Sequence, residues 1–266
     1  MKSRIAVVIL NYLNYEDTIV CVESILSMKY SLCGIVIVDN CSDNESYTIL
    51  KKEYSSNKDI HVIKTDSNVG YARGNNYGIK FSRLMLNAEF VFCCNNDVVF
   101  LEKDYFKKLL AKYESDVGVI GSKIITADNS IQQRNKIDLH IDNILKLYLN
   151  FYAYIKGTSF NLPIKTTDDS YFLHGCALLF TPAFFRYYEG FYKRTFLYLE
   201  EPILYLMCKE KSLRQEYVEN TFIMHLEDKS SELSFGNNPL VINKHSFRSM
   251  KFLLYWSIRE TIMMKM

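Results

Sequence analysis

The stretch Ile5-Ala-Val-Val-Ile-Leu10, which runs directly into Asn11, decides the fold. It is a continuous apolar run rich in β-branched residues, and such runs are typical of strands buried on both faces of a parallel sheet. Ile35-Val-Ile-Val38 repeats the pattern and ends at Asp39. The two runs therefore predict strands of a mostly parallel sheet, each followed by a polar side chain.

Strands and helices are predicted to alternate from this point onward. Alternation of this kind builds βαβ units, in which a parallel sheet carries helices on both faces. An α/β fold is therefore predicted, with polar residues placed where open α/β sheets bind ligands. Further strands are predicted at 60–63, 89–94 and 117–121, and helices at 17–28, 44–54, 75–86 and 105–113.

Composition limits the classes of function. The formal net charge of +2 and the lack of a basic run exclude a nucleic-acid partner. The first apolar run is too short for a signal peptide, and no window reaches the roughly 20 apolar residues of a spanning helix. We therefore expect a chain that is soluble or lies on a membrane surface.

The seven cysteines indicate the compartment. Their number is odd, no Cys-x-x-Cys pair occurs, and most lie in apolar runs. Buried free thiols in a reducing cytosol are the simplest interpretation, and the spacing needed for a zinc site is missing. The cysteine pattern therefore predicts a cytoplasmic protein.

The first polar cluster follows the second predicted strand, in Val38-Asp-Asn-Cys-Ser-Asp-Asn44. Asp39 stands directly at the strand end, where the base or ribose of a ligand would lie. The alternative is that these short polar residues only cap the next helix, through Asp43 or Asn44. Asp39 is the better candidate for ligand binding.

A second cluster, Asn68-Val-Gly-Tyr-Ala-Arg-Gly-Asn75, leads into a helix. Backbone N–H groups at a helix start attract phosphate, and Arg73 would add positive charge. A turn followed by a cap is the structural alternative. The sequence argues against a dinucleotide-binding fold. Such a fold has a glycine-rich motif after its first strand, whereas here the first strand runs into Asn11-Tyr-Leu-Asn-Tyr-Glu-Asp17 without a glycine.

Two further clusters carry carboxylates after apolar stretches. Asn95-Asn-Asp97 presents the hard oxygen ligands that Mg²⁺ or Mn²⁺ prefers, although a buried Asn-Asp turn is an alternative. His225 becomes a candidate ligand only if Asp97 binds a cation. Glu200-Glu-Pro202 places two carboxylates at a helix start, where they face a site or only favour the helix dipole.

The order and spacing of these clusters resemble family 2 glycosyltransferases of the GT-A fold, especially bacterial rhamnosyltransferase-like enzymes of O-antigen and capsule synthesis. The likeness spans residues 5 to about 230. The matching segments are Val7-Val-Ile-Leu-Asn-Tyr12, Ile37-Val-Asp-Asn-Cys-Ser-Asp43, Asn68-Val-Gly-Tyr-Ala-Arg-Gly-Asn75, Asn95-Asn-Asp97, His174-Gly-Cys-Ala177, Phe196-Leu-Tyr-Leu-Glu-Glu201 and His225.

The resemblance implies a role for each segment. Asp97 ends a match to the Asp-x-Asp metal motif, with Asn95 in place of its first Asp, and His225 matches a His near the metal and diphosphate. Glu201 matches the catalytic base, whereas Ile203 and Met207 depart from the acidic and Arg positions that often follow. The residues predicted to bind the donor are Asn11, Asp39, Asn68, Gly70, Arg73, Asn75, Asn95 and Asn96.

The function implied is an inverting, Mg²⁺- or Mn²⁺-dependent transfer of a sugar, of hexosyl or rhamnosyl type, from a nucleotide-diphosphate sugar to a carbohydrate. The resemblance suggests a lipid-linked oligosaccharide acceptor at the inner membrane face, in the synthesis of a cell-surface polysaccharide. The alternative is a non-catalytic relative that binds a nucleotide sugar or scaffolds a complex. Carboxylates at both Asp97 and Glu201 oppose that alternative.

The chain divides into a glycosyltransferase domain over 1–230 and a C-terminal helical appendage over 231–266. In the appendage, Phe247, Met250, Leu254 and Ile258 form one helical stripe. The stripe predicts docking onto the domain or onto a partner in a homodimer. Adsorption of the helix to anionic lipid, as a peripheral membrane contact, is the alternative.

Overall fold

A central sheet of eight strands forms the frame of the computed structural model. The structure describes residues 4–132, 135–136, 139–158, 160–164, 171–226 and 239–263, and the side chains of 135–136 and 239–243 are not described. The strands are β1 (Ile5–Asn11), β2 (Gly34–Asp39), β3 (Ile60–Lys64), β4 (Phe90–Asn95), β5 (Val98–Val99), β6 (Val117–Thr126), β7 (Asn135–Lys136), β8 (Tyr171–Phe172), β9 (Ala177–Phe180) and β10 (Arg214–His225).

Helices cover both faces of this sheet. They are α1 (Tyr15–Ser27), α2 (Ser46–Glu53), α3 (Tyr71–Met85), α4 (Tyr105–Leu110), α5 (Ile141–Ile155), α6 (Pro182–Phe185), α7 (Glu200–Glu210) and α8 (Pro239–Met263). The strand order is β3-β2-β1-β4-β9-β6-β10-β5, and β7 pairs with β8 in a separate ribbon. The pairings within β3-β2-β1-β4 and between β6 and β10 are parallel, whereas β9 and β5 run antiparallel to their neighbours.

The β1 run explains why a continuous apolar stretch predicted a strand covered on both faces. Ile5, Val7 and Ile9 pack into the core on one face, and Ala6 and Val8 pack into the core on the other. Each of these side chains is fully buried. The predicted α/β fold with a mostly parallel sheet is confirmed, with β9 and β5 as antiparallel insertions.

Parallel pairing brings the polar strand ends together. Asn11 at the end of β1 is in register with Asp39 at the end of β2. On the other side of β1, Leu10 is in register with Asn95 at the end of β4. These residues therefore lie at the carboxyl edge of the sheet, where ligands bind in open α/β folds.

Three helix starts differ from prediction, and α1 begins at Tyr15 rather than at position 17. The N-cap of α2 is Glu45 rather than Asp43 or Asn44, although the side-chain oxygen of Asn44 accepts a hydrogen bond from the N–H of Ser46 at 3.0 Å. Helix α3 begins at Tyr71, earlier than the predicted position 75. The earlier start matters for the site, because it places the first turn of α3 beside the strand ends.

Helix α8 lies against its own chain. It packs against α5 and α7, and Met250, Leu253 and Trp256 are buried. Ile258, which the predicted stripe included, remains 38% exposed. Contact with a second copy or with lipid stays a prediction. No helix in the described part of the chain is both long and apolar enough to span a bilayer.

Candidate active site

Asp39 is a buried carboxylate held by the scaffold. The amide nitrogen of Asn11 donates to its Oδ2 at 2.8 Å, and the N–H of Ser42 donates to its Oδ1 at 3.0 Å. Lys64 places its ammonium 4.0 Å from Oδ1. These donors offset the cost of burying the charge and fix the orientation of the carboxylate.

Asn11 supports Asp39 and is itself fully buried. Its side-chain oxygen accepts the hydroxyl of Thr18 at 2.8 Å, so both ends of the amide are bonded to the scaffold. A direct contact between Asn11 and a donor stays a prediction. The structure assigns Asn11 the role of orienting Asp39.

The donor loop, residues 68–70, turns the chain from the sheet edge into α3. The side-chain oxygen of Asn68 accepts from the N–H of Gly70 and from the amide of Asn40, both at 3.0 Å. Gly70 has a φ of +81°, and a Cβ there would lie 2.2 Å from the carbonyl oxygen of Phe196. Glycine is therefore required where the donor loop meets the segment before α7.

The start of α3 carries two further residues predicted to bind the donor, Arg73 and Asn75. Arg73 is exposed, whereas Asn75 is buried and donates its amide to the carbonyl of Tyr71 at 3.1 Å. The N–H of Tyr71 donates to the carbonyl of Phe196 at 2.7 Å. Of the two side chains, Arg73 is the one placed to reach an anionic ligand, and donor contact by either residue stays a prediction.

Two neighbouring residues after β4 differ in their contacts. Asn96 is bonded to the scaffold, whereas Asp97 is a candidate metal ligand. Asn96 donates its amide to the carbonyl of Asn14 at 2.8 Å and to the hydroxyl of Thr18 at 3.2 Å, so it is bonded to the start of α1. Asp97 is buried, and its Oδ1 accepts no hydrogen bond. Nε2 of His225 lies 3.3 Å from that oxygen.

Strand pairing builds the contact between Asp97 and His225. His225 at the end of β10 is in register with Val98, the first residue of β5. The N–H of Leu226 donates to the carbonyl of Asp97 at 2.9 Å. The short β5 strand therefore brings together two residues that are far apart in sequence.

These two residues fit one kind of cation site. Among the described side chains, no group of three or more His, Cys, Asp or Glu is arranged to hold a metal ion. Mg²⁺, however, is usually bound through one or two protein carboxylates together with substrate phosphates. A buried carboxylate oxygen that accepts no hydrogen bond, next to an imidazole, suits a cation whose remaining coordination positions are filled by a bound diphosphate.

His174 connects this pair to the rest of the site. Its ring centroid lies 5.9 Å from that of His225, and its Nδ1 accepts the N–H of Cys176 at 3.2 Å. Burial lowers the pKa of His174, and the neighbouring His225 lowers it further, against the opposing charges of Glu201 and Asp97. Burial therefore favours the neutral imidazole of His174, and because Nδ1 accepts a hydrogen bond, the neutral ring has its proton on Nε2.

Gly175, the next residue, lies against the candidate base. Its N–H donates to Oε1 of Glu201 at 3.2 Å, and its carbonyl accepts the hydroxyl of Tyr71 at 2.7 Å. A Cβ at this position would lie 2.9 Å from the same Glu201 oxygen. Any side chain at this position would therefore displace the Glu201 carboxylate, and Gly175 links that carboxylate to α3 through Tyr71.

The two adjacent glutamates at the start of α7 differ in environment. Glu200 is buried, and burial together with the charge of Glu201 raises the pKa of Glu200 to about 8, against a hydrogen bond from Thr195 that lowers it. Glu200 is therefore a neutral acid at neutral pH. Glu201 is only half-buried and borders the loop of residues 174–176.

The structure thus brings Asp97, His225 and Glu201 together around the loop of residues 174–176. Sequence reasoning did not assign roles to His174, Gly175 or Tyr71. The signal for the first two was present, because they lie in a segment that matches the family pattern. Tyr71 also lies in a matching segment, but its contact with Gly175 joins distant parts of the chain and could not be predicted from the sequence.

Comparison with known proteins identifies the family of the chain. The sequence profile described as "Glycosyl transferase family 2" matches residues 6–220. The low-salt glycan biosynthesis hexosyltransferase Agl10 of Haloferax volcanii is 24% identical over 201 residues, which is 76% of this chain and 60% of that protein. The chain therefore spans less than two thirds of the length of this relative.

Solved structures share the fold. The crystal structure of S. aureus TarS 1-349 in complex with UDP-GlcNAc superposes with a TM-score of 0.57 at 14% identity, covering 87% of this chain and 61% of that one. TarS 1-349 without that ligand in its description gives a TM-score of 0.56 at 12% identity, covering 97% and 71%. With the profile match over most of its length, the chain belongs to glycosyl transferase family 2 and has the GT-A fold.

Proposed function

We propose that this protein is an inverting glycosyltransferase that moves a sugar from a nucleotide-diphosphate sugar to a hydroxyl group of a saccharide. One observation carries the proposal: Glu201 and the Asp97–His225 pair border the same loop of residues 174–176. Sugar transfer needs a base for the incoming hydroxyl and a site for the charge of the leaving diphosphate. These groups can supply both.

The chemical step is a direct displacement. Glu201 takes the proton of the acceptor hydroxyl as its oxygen forms a bond to the anomeric carbon. The bond from that carbon to the diphosphate oxygen breaks, and the nucleoside diphosphate leaves with the electron pair. Attack from the side opposite the leaving group inverts the anomeric configuration.

The opposite side of the site would hold the leaving group. Asp97 and His225 would bind Mg²⁺ or Mn²⁺, which neutralises charge on a departing diphosphate when it is bound. Asp39 would orient the nucleotide base, and Arg73 is exposed at the start of α3, where phosphate binding is favourable. The donor would then lie along the carboxyl edge of the sheet.

Environment favours Glu201 over Glu200 as the base. A base must reach the acceptor and must accept a proton at the working pH. Glu200 is buried, and its raised pKa of about 8 leaves it protonated at pH 7. Glu201 is the more exposed of the two, and the N–H of Gly175 fixes its Oε1.

The acceptor is proposed from the relatives. The name of the Haloferax volcanii relative places it in glycan biosynthesis, and the sequence resembles enzymes of cell-surface polysaccharide synthesis. We infer a growing, lipid-linked oligosaccharide as the acceptor and a hexose or 6-deoxyhexose such as rhamnose as the transferred sugar. The enzyme would then act on the cytoplasmic side of the membrane that holds this acceptor.

Mass spectrometry of reactions with a panel of nucleotide sugars and saccharide acceptors tests the proposal. Glu201→Gln keeps the side-chain shape but removes the base, so transfer should fall by about 10²–10⁴-fold while donor binding is kept. Glu200→Gln is the matched control and should retain most activity. Wild-type turnover in the Glu201→Gln enzyme would contradict the assignment, and no transfer or donor hydrolysis with any donor would favour a non-catalytic relative.

A further inference from the structure

The catalytic turn, residues 196–199, presents Glu201 in a strained backbone conformation. Tyr198 and Leu199 both have a φ of +69°, in the left-handed region that side chains other than glycine rarely adopt. Leu199 directly precedes the first residue of α7. Such strain persists only where the surrounding structure holds it, so the contacts of the turn decide where Glu201 points.

Two elements hold this turn. From α3, the N–H of Tyr71 donates to the carbonyl of Phe196 at 2.7 Å. From α8, the hydroxyl of Ser249 donates to the carbonyl of Leu197 at 3.0 Å, and Ser249 is buried. The ring of Phe196 also stacks on that of His245 in α8, with centroids 4.9 Å apart.

Helix α8 is itself anchored to α7. Arg259 pairs with Glu210, and Lys209 pairs with Glu260, so the second half of α8 is tied to the C-terminal end of α7. Its first half reaches the catalytic turn before α7. The C-terminal helix therefore spans α7 from one end to the other and fixes the turn relative to the helix that it precedes.

We propose that Ser249 is a positioning residue for the catalytic base and that α8 is part of the catalytic apparatus. Its hydroxyl holds the carbonyl of Leu197, which keeps the strained turn in place and aims Glu201 at the N–H of Gly175. In this proposal Ser249 acts through the turn, because its hydroxyl donates to the carbonyl of Leu197. This inference rests on the proposed role of Glu201.

The test compares Ser249→Ala with Ser257→Ala in the full chain. Ser257 is a matched control, because it is also buried in α8 but donates to the carbonyl of Leu253 in the same helix at 3.0 Å. Both variants lose one hydroxyl, so similar shifts in Tm are expected. Ser249→Ala should lower kcat about tenfold through a misplaced base, with donor Kd unchanged, whereas Ser257→Ala should stay near wild type.

A double-mutant cycle separates positioning from general loosening of the fold. Because Ser249 acts through Glu201, Ser249→Ala should cost no further activity when Glu201 is already Gln. A full tenfold loss in that background would overturn the inference. So would equal kcat values for Ser249→Ala and Ser257→Ala.

The outcomes also separate this inference from the proposed function. Wild-type turnover by Glu201→Gln refutes the base assignment itself. An inactive Glu201→Gln enzyme together with a fully active Ser249→Ala enzyme refutes only the role of α8. If Ser249→Ala does not fold, Ser249→Cys keeps the size and a weak donor, and its kcat should lie below that of Ser257→Ala; a kcat equal to the control would overturn the inference.

Discussion

The two sides of the site are built differently. On the nucleotide side, Asp39 and Asn68 accept hydrogen bonds from groups of the scaffold. No polar atom of these two side chains is buried without a hydrogen-bond partner. On the transfer side, Asp97 and Glu200 each have a buried carboxylate oxygen that accepts no hydrogen bond, and the backbone before α7 is strained.

This difference has a physical meaning. Buried polar groups in folded proteins are normally hydrogen-bonded, so an exception calls for an explanation such as a bound ion, an ordered water or a catalytic role. The scaffold meets the hydrogen-bonding needs of Asp39 and Asn68, although the buried Oδ1 of Asn75 on the same side has no hydrogen-bond partner. On the transfer side, the carboxylates themselves keep unmet hydrogen-bonding capacity. Changes on the first side should therefore alter affinity and stability, and changes on the second should alter turnover.

After Glu201→Gln, Asp97→Asn should give the largest effect, because it removes the charge that would hold the cation next to the leaving diphosphate. We expect transfer to fall by about 10²–10³-fold, with little change in Tm. The wild-type enzyme should lose activity in EDTA and regain it with Mn²⁺ or Mg²⁺, which steady-state assays measure. Full activity after exhaustive chelation would remove the cation from the mechanism and weaken the contrast between the two sides.

Gly175→Ala should be nearly as damaging to turnover, because its Cβ would lie 2.9 Å from Oε1 of Glu201. The carboxylate must move, and a displacement of about 1 Å can cost about 10²-fold in kcat. Gly157→Ala is the control, since it has a φ of +73° but no atom within 4 Å of its Cβ. It should lower Tm without changing kcat. If both variants keep wild-type kcat, the position of Glu201 does not limit the reaction.

Asp39→Asn probes the nucleotide side, where the amide would face the amide of Asn11. We expect KM for the donor to rise about tenfold and stability to fall by about 1–3 kcal/mol, with kcat changed far less. Donor titration, steady-state kinetics and thermal unfolding measure the three quantities. A collapse of kcat at unchanged KM would reverse the assignment of roles to the two sides.

The features predicted from the sequence are those that residues close together in the chain determine. Strands β1 and β2 were found because their residues are apolar without interruption, and Asp39, Asp97 and Glu201 stood out because each follows such a run. β10 was not delineated, because buried and half-exposed positions mix along it and its register shifts between Val218 and Phe222.

The contacts that could not be predicted join distant segments. Helix α3 begins at Tyr71, where the carbonyl of Phe196 accepts a hydrogen bond from the N–H of Tyr71. No residue near Tyr71 in the sequence predicts this contact. The link from Ser249 to Leu197 is of the same kind. The burial of Glu200 also depends on tertiary packing, so the sequence alone could not separate it from Glu201 by protonation state.

Glu200→Gln should give the smallest change in activity but a distinct change in stability with pH. The folded state raises the pKa of Glu200 from 4.5 to about 8, so it favours the protonated form. That contribution to stability is complete below about pH 4.5 and is lost as pH rises toward 8. Gln cannot ionise, so the variant should unfold at a Tm about 5–10 °C above wild type at pH 9, with a flatter profile from pH 5 upward. Glu189→Gln, at an exposed position, should follow the wild-type profile. Parallel profiles for wild type and Glu200→Gln would show that Glu200 is not a buried neutral acid, and would reopen the choice between the two glutamates as the base.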